Sequence, residues 1–162
     1  MVTAYANSLK SYCEKRRVGA ILTDENGNII SSGFNDAPTG QKSCKAKYGK
    51  CYRDHLKDKY KVDNTFKMLD YCRALHAEEN AILNLIRQGS RLSLNSKIYT
   101  TTFPCNMCAN KIAELGNIKE VIYFEPYPMV EAKEILKDAQ IKITPFEGAT
   151  HKGYFRFMED NK

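Results

Sequence analysis

Two stretches decide the interpretation of the fold: Leu75-His76-Ala77-Glu78 and Pro104-Cys105-Asn106-Met107-Cys108. Each stretch lies in the first turn of a predicted helix, and three of the residues are good ligands for zinc: His76, Cys105 and Cys108. A catalytic zinc site uses three protein ligands and leaves the fourth position for water. Glu78 lies two residues from His76, close enough to reach that water without binding the metal itself.

The alternative to a catalytic site is a structural zinc knuckle, which usually shows four Cys or His ligands in compact pairs. In this chain a single ligand, His76, and the non-ligating Glu78 occupy the place where a zinc knuckle has its first pair of ligands. The long separation between Glu78 and Pro104 leaves room for a helix, a loop and a strand. The pattern therefore favours a catalytic zinc, with Glu78 as the catalytic residue that moves protons.

Hydrophobic periodicity predicts alternating helices and strands around these stretches. The first two strands, over 18–23 and 28–34, form an antiparallel hairpin around a turn at Asp24-Glu25-Asn26-Gly27. Later strands alternate with helices, which indicates parallel neighbours in the same sheet. The other predicted elements are helices over 2–16, 74–88, 104–115 and 129–139, and strands over 97–102, 118–124 and 140–146.

Residues 41–71 show no clean periodicity, apart from a short helix predicted over 53–61. A structureless loop of this length is uncommon, and this one is strongly basic. Charge runs are usually solvated surface, so the plain interpretation is a positively charged insert; the sharper one is a surface that faces phosphate or nucleic acid. We predict one domain over 1–162, with an irregular, cysteine-containing insert at about 41–71.

Length and composition indicate a globular protein. The chain has 162 residues, 43% of them hydrophobic, and no apolar run approaches the length of a membrane span. The N-terminus lacks the charged and apolar blocks of a signal peptide, so we expect a cytoplasmic protein. In that compartment six cysteines favour metal binding over disulfides. The net charge of +6 fits a phosphorylated substrate but does not require a nucleic acid.

The motif H-x-E followed by P-C-x-x-C resembles the signature of the cytidine/deoxycytidylate deaminase superfamily. The resemblance extends to Arg17-Val18-Gly19-Ala20, Gly33-Phe34-Asn35 and Pro38-Thr39-Gly40, and it covers the chain from about Ser8 to Phe146. The sequence is most similar to the deoxycytidylate (dCMP) deaminase branch. This resemblance implies an α/β protein with a three-layer α/β/α fold, built on a five-stranded mixed sheet whose final pair of strands is parallel.

The resemblance also implies an activity, which is the zinc-dependent, hydrolytic conversion of dCMP to dUMP and ammonia in pyrimidine nucleotide metabolism. In the family a Gly-aromatic-Asn loop holds the sugar hydroxyl, a role that falls to Asn35. The backbone N–H of Ala77 would meet the pyrimidine carbonyl, and the carbonyl of Phe103 the exocyclic amine. Tyr127 lies where the family often places an aromatic residue against the substrate, although a surface or core tyrosine is the plainer interpretation.

Several dCMP deaminases carry a second, structural zinc in the segment that corresponds to the insert. The candidate ligands here are Cys44, Cys51, Cys72 and His55, and the alternative is thiols without a metal. The family forms dimers, tetramers or hexamers, which implies a homo-oligomer. Its loop also helps bind the effectors dCTP and dTTP, and this chain departs from that loop at Asp36, where most dCMP deaminases have Gly.

Other functions stay open at this point. One is a deaminase of dCTP or related deoxycytidine nucleotides in an anti-phage system that depletes them, whose domains the tail at 145–157 weakly resembles. The plain interpretation of that tail is a terminal segment packed on the sheet edge or on a neighbouring subunit; the sharper one is that Lys152 or Arg156 contributes to binding the nucleotide phosphate. Another is a tRNA adenosine or single-stranded DNA cytosine deaminase, for which the basic insert is the only support. The last is a non-catalytic zinc module, which Glu78 argues against.

Overall fold

A five-stranded mixed sheet organises this computed structural model, which describes residues 1–62 and 71–148. The strand order is β2-β1-β3-β4-β5. Strand β1 pairs antiparallel with β2 and β3, whereas β3, β4 and β5 are parallel, so the predicted mixed sheet is confirmed. The strands are β1 (Gly19–Thr23), β2 (Ile29–Phe34), β3 (Ser96–Thr102), β4 (Ile118–Glu125) and β5 (Lys142–Pro145).

Helices cover both faces of this sheet, and two glycines let them approach closely. At Gly33 an added Cβ would overlap the carbonyl oxygen of Ala77 in helix α4 (Ala77–Arg87). At Gly19 an added Cβ would overlap the carbonyl oxygen of Ala4 in helix α1 (Val2–Ser8). Ala20 pairs with Gly33. Since neighbouring residues of a strand point to opposite faces, α1 and α4 lie on opposite sides of the sheet. The helices are α1 (Val2–Ser8), α2 (Cys44–Tyr48), α3 (Tyr52–Tyr60), α4 (Ala77–Arg87), α5 (Asn106–Glu114) and α6 (Val130–Asp138).

The core lies on the face of the sheet that α4, α5 and α6 cover. Leu22, Ile98 and Val121 follow one another in register across β1, β3 and β4, and all three are fully buried. Ile112 of α5 and Leu136 of α6 pack into the same cluster. Alternating apolar residues on the strands therefore meet the apolar stripes of the helices, which is how a sheet and its helices bury their hydrophobic faces.

Helix α4 is also held to β2 by side-chain hydrogen bonds. Asn80 and Asn84 lie one turn apart on the same face of the helix. Their side-chain N–H groups donate to the carbonyl oxygens of Phe34 and Ser32, each over 2.9 Å. These bonds fix the position of α4 along the length of β2, and they also hold the helix against the strand.

The first helix is shorter than predicted, because it ends at Ser8 rather than Arg16. The Ser8 hydroxyl donates back to a carbonyl oxygen of its own helix, and the Ser11 hydroxyl donates to the carbonyl of Asn35 over 2.5 Å. Serine side chains that bond to nearby backbone compete with helix continuation. Leu9 is 54% exposed, so the predicted apolar stripe does not continue past this point.

The described part of the insert contains two short helices, α2 and α3. Helix α3 confirms the helix predicted over 53–61, whereas α2 was not predicted. Two ion pairs join the insert to the loop after α1: Lys15 to Asp54 over 2.7 Å and Lys45 to Glu14 over 3.2 Å. The remainder of the insert, residues 63–70, lies outside the described residues.

Arg73 connects the insert to the segment that leads into α4. Its guanidinium donates to the hydroxyl of Tyr48 and stacks over the rings of Tyr48 and Tyr52, at 5.6 and 5.5 Å from their centroids. A second bond reaches the side-chain oxygen of Gln41 over 3.0 Å. Stacking and hydrogen bonding by one guanidinium therefore order both insert helices.

In the ranges that the structure describes, no helix has the length and apolar character needed to cross a membrane.

Replacing Gly33 by Ala should destabilise the fold, because the new methyl group would collide with the backbone of α4. Overpacking of this kind costs about 1–3 kcal/mol of the free energy of unfolding. Urea unfolding checks this, with Ser32→Ala as the control, since Ser32 lies on the same strand and points to the other face. Equal midpoints for the two variants would mean that α4 does not approach β2 this closely.

Candidate active site

The three predicted metal ligands lie at the beginnings of two helices. His76 is the N-cap of α4 and Cys105 is the N-cap of α5, so each helix begins slightly later than predicted. Cys108 lies in the first turn of α5. Helix N-termini carry partial positive charge and unpaired N–H groups, and both features favour thiolates there.

The distances among the ligand atoms fit zinc. The Nδ1 atom of His76 lies 3.3 Å from Sγ of Cys105 and 3.4 Å from Sγ of Cys108, and all three atoms lie within 4.8 Å of one another. Tetrahedral zinc with one nitrogen and two sulfur ligands requires about 3.5–3.8 Å between them, so the three atoms would move apart by only a few tenths of an ångström to hold the ion. Among the described residues no fourth Cys, His or carboxylate joins this group, so the set has the size of a catalytic zinc site.

The two cysteines differ in acidity. A hydrogen bond with the Cys108 thiol, together with His76, lowers the pKa of Cys105 to about 4, although burial opposes the shift. The hydrogen bond with Cys105, reinforced by burial, raises the pKa of Cys108. The two thiols thus share a hydrogen bond, and a divalent cation that binds both sulfurs must displace the proton between them.

Glu78 lies in the first turn of α4 and is only 4% exposed. Burial raises the pKa of this carboxyl to about 7, because desolvation penalises the charged form. A carboxyl that titrates near neutral pH can both accept and donate a proton.

The neighbouring Glu79 links the beginning of α4 to the C-terminal half of α5. Its carboxylate accepts a hydrogen bond from the backbone N–H of His76 over 3.4 Å and pairs with Lys111 of α5. The ligands from α4 and α5 are thereby kept in register by a bond that does not involve the metal site itself.

A cavity of about 460 Å³ opens in front of the ligand group. His76, Glu78 and Cys105 line it. The four residues predicted to bind substrate line the same cavity: Asn35, Ala77, Phe103 and Tyr127. Its volume lies within the usual range for a small-molecule site, about 300–1,000 Å³. The structure therefore collects the metal ligands, a buried acid and all four of these residues around one space.

Comparison with known proteins places this arrangement in a family. The sequence profile described as the cytidine and deoxycytidylate deaminase zinc-binding region matches residues 1–125. The chain belongs to the cytidine and deoxycytidylate deaminase family. The predicted family is thus confirmed, and His76, Cys105 and Cys108 form a group that could hold a metal ion.

Relatives within the deaminase family include the deoxycytidylate deaminases of two yeasts. The chain is 41% identical over 120 residues to that of Schizosaccharomyces pombe, an alignment that covers 74% of this chain and 34% of the relative. It is 36% identical over 138 residues to that of Saccharomyces cerevisiae, covering 85% and 40%. The chain therefore spans only a third to two fifths of the length of these relatives.

A solved structure of similar size shares the deaminase fold. It is the dCMP deaminase of cyanophage S-TIM5 in complex with dCMP and dUMP, with a TM-score of 0.67 and 25% sequence identity. The similarity covers 89% of this chain and 91% of that one.

The side chain of Asn35, in the predicted substrate loop, makes hydrogen bonds to the backbone of two other residues of this chain. Its side-chain oxygen accepts from the backbone N–H of Val18 over 2.7 Å, and its side-chain N–H donates to the carbonyl of Arg16 over 2.8 Å. These bonds use one of two N–H donors and one of two lone pairs of the amide. Asn35 thus orients the segment after α1, and its predicted contact with a sugar hydroxyl stays a prediction.

Sequence reasoning missed several residues of the deaminase cavity, including two arginines. Arg16 and Arg53 line the cavity, and the Arg16 guanidinium lies 5.6 Å from the ring centroid of Tyr127. The only signals in the sequence were the position of Arg16 just before the family motif at Arg17-Val18-Gly19-Ala20 and the basic character of the insert.

The residues predicted to hold a second zinc do not form a ligand group in the part of the chain that the structure describes. His55 instead packs against the ring of Tyr48, with 5.1 Å between the ring centroids. Cys51 is buried at the start of α3. All six cysteines fall within the described ranges and all are free thiols, so no disulfide competes with metal binding.

Replacing Cys105 by Ser should abolish stable zinc binding at the triad. The wild-type protein should unfold at a higher temperature with zinc than with a chelator, because a ligand at 100 times its Kd stabilises the folded state by about 2.7 kcal/mol. Thermal unfolding and metal analysis check this. Cys13→Ser is the control, since Cys13 lines the same cavity outside the triad. A Cys105→Ser protein that still responds to zinc would place the metal elsewhere.

Proposed function

We propose that this chain catalyses the hydrolytic deamination of dCMP to dUMP and ammonia. The observation that carries the proposal is the cavity in which a His/Cys/Cys ligand group adjoins the buried acid Glu78. Relatives in the family that are named deoxycytidylate deaminases support the choice of substrate, as does the phage enzyme that binds dCMP and dUMP.

The metal would be held by Nδ1 of His76 and by the sulfurs of Cys105 and Cys108. Zinc, when bound there, supplies Lewis-acid activation of a water molecule at neutral pH. The protein contributes the ligand spacing, the two helix N-termini and the exclusion of bulk solvent from the base of the cavity.

Glu78 moves the protons of the reaction. The cytosine ring is aromatic and its amino group is a poor leaving group, so attack at C4 requires a proton on ring N3. The Glu78 carboxylate accepts a proton from the attacking water and delivers it to N3. The same carboxylate then takes the remaining proton from the hydroxyl group now bonded to C4 and passes it to the departing amine; the C4–N bond breaks, so that cytosine and water become uracil and ammonia. Its burial beside the ligands, without membership of the ligand group, supports this role.

Four further residues orient the nucleotide in this proposal. The backbone N–H of Ala77 meets the pyrimidine carbonyl, and the carbonyl oxygen of Phe103 meets the exocyclic amine. The Asn35 side chain holds the sugar hydroxyl with the N–H donor that is not bonded to Arg16. Tyr127 packs against the substrate. Their common position on the wall of one cavity supports the assignment.

Replacing Glu78 by Gln should lower ammonia release from dCMP by about 10²–10⁴-fold, which is the usual contribution of a positioned proton donor. Zinc content should stay unchanged, because Glu78 is not a ligand. Ammonia release is measured for cytidine, CMP, deoxycytidine, dCMP, dCDP, dCTP and a single-stranded oligonucleotide. Exposed Glu134→Gln is the matched control. If the zinc-loaded protein deaminates none of these compounds, the proposed function is wrong; preference for dCTP or the oligonucleotide would favour the corresponding alternative.

Four finer features stay predictions: a second zinc in the insert, a homo-oligomer, dCTP and dTTP effectors, and a cytoplasmic location. The second zinc in the insert can be tested by counting the metal ions bound per chain. The measurement is the zinc content of purified protein, and one zinc per chain would contradict the second site. Two zinc ions per chain, with one lost in Cys44→Ser, would establish the second site. The tail residues Lys152 and Arg156 lie outside the described residues.

A further inference from the structure

Three cationic side chains line the active-site cavity: Lys15, Arg16 and Arg53. They come from separate parts of the chain. Lys15 and Arg16 belong to the loop after α1, whereas Arg53 lies in the first turn of α3, within the insert. Among the described residues that line the cavity, the sole acidic side chain is the buried Glu78. The wall of the cavity is therefore suited to a ligand that carries negative charge.

An ion pair sets the position of Arg53 relative to that loop. Asp54, the next residue of α3, pairs with Lys15 over 2.7 Å. The bond to Asp54 raises the pKa of Lys15, while the nearby Arg53 guanidinium opposes the shift, so these three side chains are neighbours. The charge of Lys15 is thus directed to Asp54, and the pair holds the start of α3 against the cavity wall.

Arg16 is positioned from two sides. Its carbonyl oxygen accepts the hydrogen bond from the Asn35 side chain, and its guanidinium lies over the ring of Tyr127. Stacking on an aromatic ring leaves the in-plane N–H donors of a guanidinium directed outward. The side chain is exposed, so these donors can reach a ligand at the opening of the cavity.

We propose that Arg16 and Arg53 bind the 5′-phosphate of the nucleotide substrate. This inference rests on the proposed function, and it makes the insert part of the substrate site. A planar guanidinium with several donors matches the geometry of phosphate oxygens. With the base held near Glu78 and Ala77, the phosphate lies toward the opening, between the loop after α1 and helix α3. The two arginines then select a phosphorylated nucleotide over the free nucleoside.

The test compares the turnover of dCMP and deoxycytidine by Arg16→Gln, Arg53→Gln and Arg53→Lys proteins. Arg17→Gln is the matched control, because Arg17 is an exposed arginine of the same loop that does not line the cavity. The kcat/KM for dCMP should fall by roughly 10- to 100-fold in each glutamine variant, as expected for loss of a hydrogen bond to a charged group. The kcat/KM for deoxycytidine should stay within about twofold, and Arg53→Lys should recover part of the loss.

Equal losses for dCMP and deoxycytidine would overturn the inference, because the arginines would then act on folding or on the base. So would an unchanged dCMP rate, or an equal loss in Arg17→Gln. Calorimetric binding of dUMP and deoxyuridine separates this inference from the proposed function. If the wild type releases no ammonia but binds dUMP more tightly than deoxyuridine, and both glutamine variants lose that preference, the phosphate site stands and the activity does not. If the wild type shows no preference for dUMP, the phosphate site is wrong.

Discussion

The contact between α4 and β2 is the constraint on which the site depends. Gly33 allows the helix backbone to lie directly against the strand, and the side-chain bonds from Asn80 and Asn84 prevent it from sliding. His76 begins this helix and Glu78 lies in its first turn, so one packing contact positions a candidate metal ligand and the proposed proton carrier together. The Glu79–Lys111 pair then transmits that position to α5, which carries the other two ligands. Because protein interiors are close-packed, a shift in this contact is felt at every atom of the site.

Most of the sheet could be predicted from the sequence, because the information that determines it is local. Strands such as Gly19–Thr23 and Ile118–Glu125 are short runs rich in apolar residues beside turn-forming residues, and helices such as Ala77–Arg87 show the helical period. The first helix was overextended because an apolar pattern cannot reveal that Ser11 bonds to the distant Asn35 carbonyl. Helix α2 was missed although its ends carry local signals, since the Ser43 side chain caps its N-terminus and Gly49 ends it in the left-handed conformation. Its contacts with Arg73 appear only in the folded chain.

The residues of the candidate site also differ in whether the sequence alone could identify them. His76, Cys105, Cys108 and Glu78 stand in short motifs whose spacing expresses the chemistry, so the sequence alone is enough to identify them. Arg16 and Arg53 could not be identified in this way, because no sequence pattern joins them. They line one cavity only in the folded chain, where Lys15, next to Arg16, pairs with Asp54, next to Arg53. Asn35 shows an intermediate case, since its motif indicates a role at the substrate but not the bonds by which it also holds the backbone of Arg16 and Val18.

The contacts of Arg73 have a consequence for the order in which the chain assembles. Tyr48 and Tyr52 leave the ribosome before Arg73, and Arg73 leaves before the helix that it precedes. The insert therefore lacks the stacking contact with Arg73 until the segment next to His76 has been synthesised. Non-local contacts of this kind form late in folding, because the loop between the partners must close first. The contacts that Arg73 makes with Tyr48 and Tyr52 are thus completed only once the segment leading into α4 has been synthesised.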